Sequence, residues 1–147
     1  MKDKILSDMK DAMKAKDKSR VLAIRLLRAS IQRREIDERT DLDDAGVLSV
    51  IQKMIKQGKD SIEQFEKGNR QDLVNKENVT LLVLEDYLPK QLTDVEIESL
   101  LDDAFNETGA ETIKEMGKVM GWLKPKLQGK ADMGSVSAKI KQRLTGN

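Results

Sequence analysis

Residues 113–147 carry 8 Lys/Arg against 2 Asp/Glu, and glycines punctuate the same stretch at 117, 121, 129 and 134. Lys114 and Lys118 stand one helical turn apart, as do Lys139 and Arg143, and Lys124, Lys126 and Lys130 fall between the two pairs. Cations gathered beside open backbone suit phosphate contacts, with amide donors of a glycine loop and of the last helix's N-terminus assisting. The plainer reading of the same groups is a solvated face that balances an acidic neighbour. Residues 89–112 supply that neighbour, with 7 Asp/Glu against 1 Lys/Arg, and on charge alone the plainer reading is favoured.

Other candidate chemistry is thinner. Trp122 lies off the apolar stripe of its helix, where it could stack on a base; packing across a subdomain junction is the favoured alternative. Arg25, Arg28, Arg33 and Arg34 could extend a binding track, or pair with acids of the next two helices, which is favoured. Carboxylate pairs such as Glu85-Asp86 and Asp102-Asp103 fall on solvent faces of expected helices, where charge serves solvation rather than acid–base catalysis. The chain has no Cys and no His, which excludes disulfides, thiolate zinc sites, Cys nucleophiles and the commonest general base. No phosphate-binding loop, dinucleotide fingerprint or nucleophile elbow occurs. No catalytic residue, metal or cofactor is therefore expected.

The elements that must position these residues are helices. Hydrophobic residues make up 38% of the 147 and aromatics only 3%, a composition suited to packed Leu/Ile/Val/Met helices. Ile5, Met9 and Met13 stripe a first helix over 2–16. Ser19 can cap a second, lined by Val21, Ile24, Leu27 and Ile31. A third from Asp44 to Lys67 follows Leu48, Ile51, Ile55, Ile62 and Phe65, with Gly58 as either a close-packing point or a weak spot. A fourth from Arg70 to Tyr87 uses Leu73, Leu81, Leu84 and Leu88. Leu88-Pro89 then reads as a hinge. Thr93 with Glu96 is a capping box for a fifth helix that ends at Gly109. A sixth over Ile113 to Leu123 has the stripe Ile113, Met116, Met120 and Leu123. Pro125 to Gly134 reads as a basic loop, and a last helix spans Ser135 to Leu144.

The expected fold is therefore all-α, with an N-terminal four-helix subdomain (1–88) followed by a smaller three-helix C-terminal subdomain (93–147). A piece of ~55 residues is marginal alone, so docking on the first four helices is expected. The charged segment Met1 to Asp17 offers no signal-peptide core, and the run Leu81 to Leu84 falls far short of the ~20 residues that span a bilayer. A soluble, cytoplasmic protein that touches no membrane is the expectation.

Two groups of motifs carry a resemblance. One is Asp60-Ser61-Ile62-Glu63-Gln64-Phe65, then Arg70-Gln71-Asp72-Leu73 and Tyr87-Leu88-Pro89-Lys90-Gln91-Leu92. The other is Met116-Gly117-Lys118-Val119-Met120-Gly121, then Pro125-Lys126-Leu127 and Gly129-Lys130-Ala131-Asp132. Together these resemble the YqeY-like (GatB/YqeY) family over nearly the whole chain. The second group is similar to the tail domain of the tRNA-dependent Asp/Glu amidotransferase. Gly58, and Asn75, Asn78 and Val79, depart from the family pattern.

The resemblance implies a tRNA partner, met by Lys118, Lys124, Lys126 and Lys130, with Gly117, Gly121, Gly129 and Asp132 shaping the loop. It also leaves room for a protein–protein adapter on a synthetase or amidotransferase. At family level it brings a carbon–nitrogen ligase activity with glutamine as amido-N donor. That chemistry needs an ammonia source and an acyl-activating nucleotide site, and the chain carries the motifs of neither.

Overall fold

Apolar residues recurring at helical spacing produce seven α-helices and one short 3₁₀ turn, with no strand, among the described residues, 1–146 of a computed structural model. They group into two compact units, Met1–Leu88 and Pro89–Asn147.

The first unit contains α1 (Lys2–Lys14), α2 (Lys18–Glu38), α3 (Asp44–Lys67) and α4 (Gln71–Glu85). Its core gathers Ile5, Ile24, Leu27, Ile31, Val47, Ile51, Ile55, Leu81 and Leu84. The cap of α2 is Asp17 rather than the expected Ser19: its carboxylate accepts from the Arg20 backbone N–H at 3.1 Å, which leaves Ser19 inside the first turn. On α1 the buried residues are Ile5 and Ala12, and Met13 of the expected stripe is exposed. In α3, Val47 and Val50 are buried and Leu48 is only half-buried, because Val47 continues the four-residue spacing of Ile51 and Ile55 on the packed face. In α4, Val74 takes the buried place expected of Leu73.

Polar contacts fasten the helix ends. Glu35 accepts from Lys2 Nζ at 2.6 Å and from the Leu42 amide at 2.8 Å, tying α1, α2 and the following loop together. Tyr87 Oη donates to Asp8 Oδ2 at 2.6 Å. Burial, then this bond to a carboxylate, raises the phenol's pKa.

Gly58 is a close-packing point where α3 meets α4. A Cβ there would lie 2.6 Å from Leu81 Cδ2 and 2.9 Å from Glu77 Oε1. Leu81 belongs to the buried core and has little room to yield. Gly58→Leu is accordingly expected to cost about 3 kcal/mol in urea unfolding, despite leucine's better helix propensity.

The second unit contains α5 (Asp94–Thr108), the 3₁₀ turn Ile113–Glu115, α6 (Met116–Leu127) and α7 (Met133–Thr145). Thr93 caps α5 by accepting from the Glu96 amide at 3.2 Å, and Gly109 ends that helix in the left-handed conformation (φ 63). The sixth helix differs from expectation. It continues through Pro125 to Leu127, so Lys124 and Lys126 occupy its last turn rather than a loop. Pro125 has no N–H for the Gly121 carbonyl four residues back, and Gly121 is exposed, where water can serve that oxygen. The core stripe is consequently Val119, Leu123 and Leu127, all fully buried; Ile113 is exposed and Met116 and Met120 flank the core.

Candidate nucleic-acid interface

Four-residue spacing on a helix puts side chains in line. Lys118, Trp122 and Lys126 follow that spacing along α6, and Lys114 extends it into the preceding 3₁₀ turn. Lys124 is two residues from both Trp122 and Lys126, and so lies about 200° round the helix from each. All five lysines at 114, 118, 124, 126 and 130 are exposed. Among the described residues, none of them has a carboxylate oxygen within 4.0 Å of its ammonium. Lys126 Nζ instead rests 3.8 Å from the centroid of the Trp122 ring. The indole is half-buried and packs against the core of its own unit.

The 3₁₀ turn that presents Lys114 is fixed by Glu115, whose Oε1 accepts from the amides of Glu111 (3.2 Å) and Thr112 (3.4 Å). Those bonds, with the charge of Lys118 as a smaller cause, hold the Glu115 carboxyl below its ordinary value. At the other end, Gly129 takes φ 74 to turn the chain, and the Lys130 amide bonds back to the Leu127 carbonyl at 2.9 Å. Gln91 had no expected role in the site. Its Nε2 donates to the Gly129 carbonyl at 2.7 Å, and the Leu92 amide donates to the Lys130 carbonyl at 2.9 Å. The residues just after the expected hinge at Leu88-Pro89 thus strap down the turn that carries Lys130. No local sequence signal announces a bond to a residue 38 positions away.

Three expectations change. Gly117 and Gly121 shape no loop; they lie within α6, and a Cβ at either would meet nothing within 4 Å. The α7 N-terminus is already occupied, because Asp132 accepts from the Gly134 amide at 3.2 Å and from Ser135 Oγ at 2.9 Å. A carboxylate there repels a phosphate, so that helix end offers no anion site.

Lys139 and Arg143 face the acidic α5. Lys139 Nζ is 3.5 Å from Glu98 Oε1 and 3.8 Å from Asp94 Oδ1, while Arg143 bonds Glu98 and, at 2.7 Å, Asp102. The balancing of acid by base describes this pair, and the other five lysines stand apart from it.

Glu98 carries a pH consequence. The Arg143 hydrogen bond, opposed by partial burial and aided by Lys139, lowers its carboxyl pKa from an ordinary 4.5. A carboxylate lowered in the folded state stabilises above its unfolded pKa and loses that contribution as pH falls through the folded one. Melting temperature should be flat from about pH 6 to 8 and fall below about pH 4.5, and Glu98→Gln should make the acid limb shallower.

Similarity to known proteins extends over almost the whole chain. The model of a family described as Yqey-like protein matches residues 2–144. A protein of Vanderwaltozyma polyspora, named Altered inheritance of mitochondria protein 41, mitochondrial, is 31% identical over 140 residues, covering 90% of this chain and 76% of its own. The protein of that name from Lachancea thermotolerans is 32% identical over 140 residues (90% and 75%). The one from Pyrenophora tritici-repentis is 34% identical over 142 residues (95% and 78%). These names overturn the expected cytoplasmic location, since the similar proteins are mitochondrial. Compartment is set by addresses that receptors read, so composition and the lack of a spanning helix were no guide to it.

Proposed function

The chain belongs to the YqeY-like family, and from that premise we propose that it is a non-catalytic tRNA-binding accessory protein whose contact surface is the lysine stripe of α6 and the turn after it. One observation carries this reading: Lys114, Lys118, Lys124, Lys126 and Lys130 are exposed on one unit, with no carboxylate within ion-pair distance among the described residues. Unpaired ammonium groups hold counterion-exchangeable charge that a polyanion can take up. Lys139 and Arg143, neutralised by α5, are outside the surface. In the same reading the four- and three-helix units are separate subdomains, and the chain supplies affinity for RNA while chemistry happens elsewhere.

A salt titration tests it. With about four to five phosphate contacts, log K for tRNA should fall against log salt with a slope near −4, roughly a 250-fold loss between 50 and 200 mM. A slope near zero would remove the electrostatic basis of the proposal.

A second reading, a helical protein–protein adapter, is favoured by α2. Leu22, Leu26 and Ile36 are exposed on the side away from its buried Ile24, Leu27 and Ile31. A helix apolar on both faces ordinarily has neighbours on both. Complexes that survive nuclease but not Leu26→Asp would move the weight to this reading.

A further inference from the structure

We infer that Trp122 is a base-stacking site, capped by Lys126 in the free protein, which makes an unpaired nucleotide the ligand class of this surface. The inference rests on the RNA reading above and goes further, because lysines alone cannot tell single strands from duplexes.

Trp122 is the only tryptophan of the chain. The half-buried indole packs on the core of its unit, and the ammonium of exposed Lys126 lies over its ring at 3.8 Å. The preceding residue, Gly121, puts no side chain beside it, and a Cβ there would find open space. Lys118 and Lys126 flank the ring one helical turn to either side, about 6 Å along the axis. A base laid on the indole would therefore have its own backbone phosphates between two cations.

The cap is weak enough to be displaced. Lys126 is exposed, so its ammonium over the half-buried ring contributes towards the lower end of about two- to thirty-fold to an equilibrium, whereas a base stacked on an aromatic side chain contributes about five- to a hundred-fold. The base wins the ring, and the released Lys126 is free to take a phosphate. A paired base has both faces covered by its neighbours and cannot make this exchange without unstacking.

The emission of the single tryptophan reports the event directly. Single-stranded oligoadenylate should quench it saturably, while an RNA duplex with the same number of phosphates should bind, by anisotropy of a labelled strand, without quenching. Trp122→Leu should lower single-strand affinity about tenfold or more and leave duplex affinity within about twofold; Trp122→Phe should keep most of it. Melting curves of each variant show whether it is folded. If Trp122→Leu does not fold, Trp122→Phe and the wild-type quenching decide.

Unchanged emission at saturating single strand, or equal affinities in a folded Trp122→Leu protein, overturns the stacking site. Lys118→Glu separates the two ideas: a fall in both affinities with emission unmoved by RNA leaves the phosphate reading standing without the stack. If neither RNA binds, both are overturned.

Discussion

Lys118→Glu, Lys126→Glu and Lys130→Glu combined are expected to lower tRNA affinity by about a thousand-fold at low salt, with helical content unchanged and the melting temperature lowered by only a few degrees. Losing one phosphate contact and substituting a repulsive charge costs roughly tenfold per site, or about 1.4 kcal/mol each. The fold should tolerate the change because the three side chains are exposed and none is in an ion pair among the described residues. Lys126 does leave the half-buried Trp122 ring, a contact of about 1 kcal/mol. The informative control is Lys139→Glu with Arg143→Glu, which reverses fewer charges but breaks the contacts to Glu98, Asp94 and Asp102. That pair should lower the melting temperature and leave the affinity of the folded protein within a few-fold. Were the two variants to weaken binding equally, the protein's general charge, and not the α6 surface, would be what RNA senses.

How far sequence reaches is clear from particular residues. Helices α3 and α5 were legible to their ends, since capping chemistry marks both: Asp43 and Gly68 bound the first, Thr93 and Gly109 the second. The end of α6 was not, because Pro125 reads as a breaker when only local geometry is considered. Cutting the helix at Leu123 hid Leu127, and without that rung Met116 and Met120 looked like the core in place of Val119. The same cut put Lys124 and Lys126 in a loop and hid the alignment of Lys126 with Trp122 and Lys118.

The site was half legible for a related reason. Clustering of lysines is a sequence property, whereas their neutralisation is not. Arg143 is separated from Asp102 by 41 residues and from Glu98 by 45, so nothing along the chain distinguishes its charge from that of Lys130. Packing α7 against the acidic helix decides which cations remain for a partner. The strap from Gln91 to Gly129 is another such case: the motif residues around Pro89 and those around Gly129 belong to one local structure, although 38 positions separate the bonded pair.

Leu123→Ala is expected to unfold residues 89–147 at room temperature while residues 1–88 keep their helices. Leu123 is fully buried in a core that also holds Leu101, Val119, Leu127, Val136 and Ile140. Truncating such a leucine costs about 2–5 kcal/mol. A unit of under ~60 residues that no disulfide can staple has few kcal/mol to lose. Val74→Ala, at a buried residue of α4 outside the main cluster, should cost less than that and spare the second unit. Hydrogen exchange resolves the outcome by segment: amides of α5, α6 and α7 should exchange freely in Leu123→Ala while those of α2 and α3 stay protected. Loss of protection throughout would mean that the two units fold as one cooperative body. Protection confined to the first would show that residues 1–88 hold their fold without α5 to α7, and RNA binding should then vanish with Leu123→Ala for want of a folded surface, although every lysine is still present.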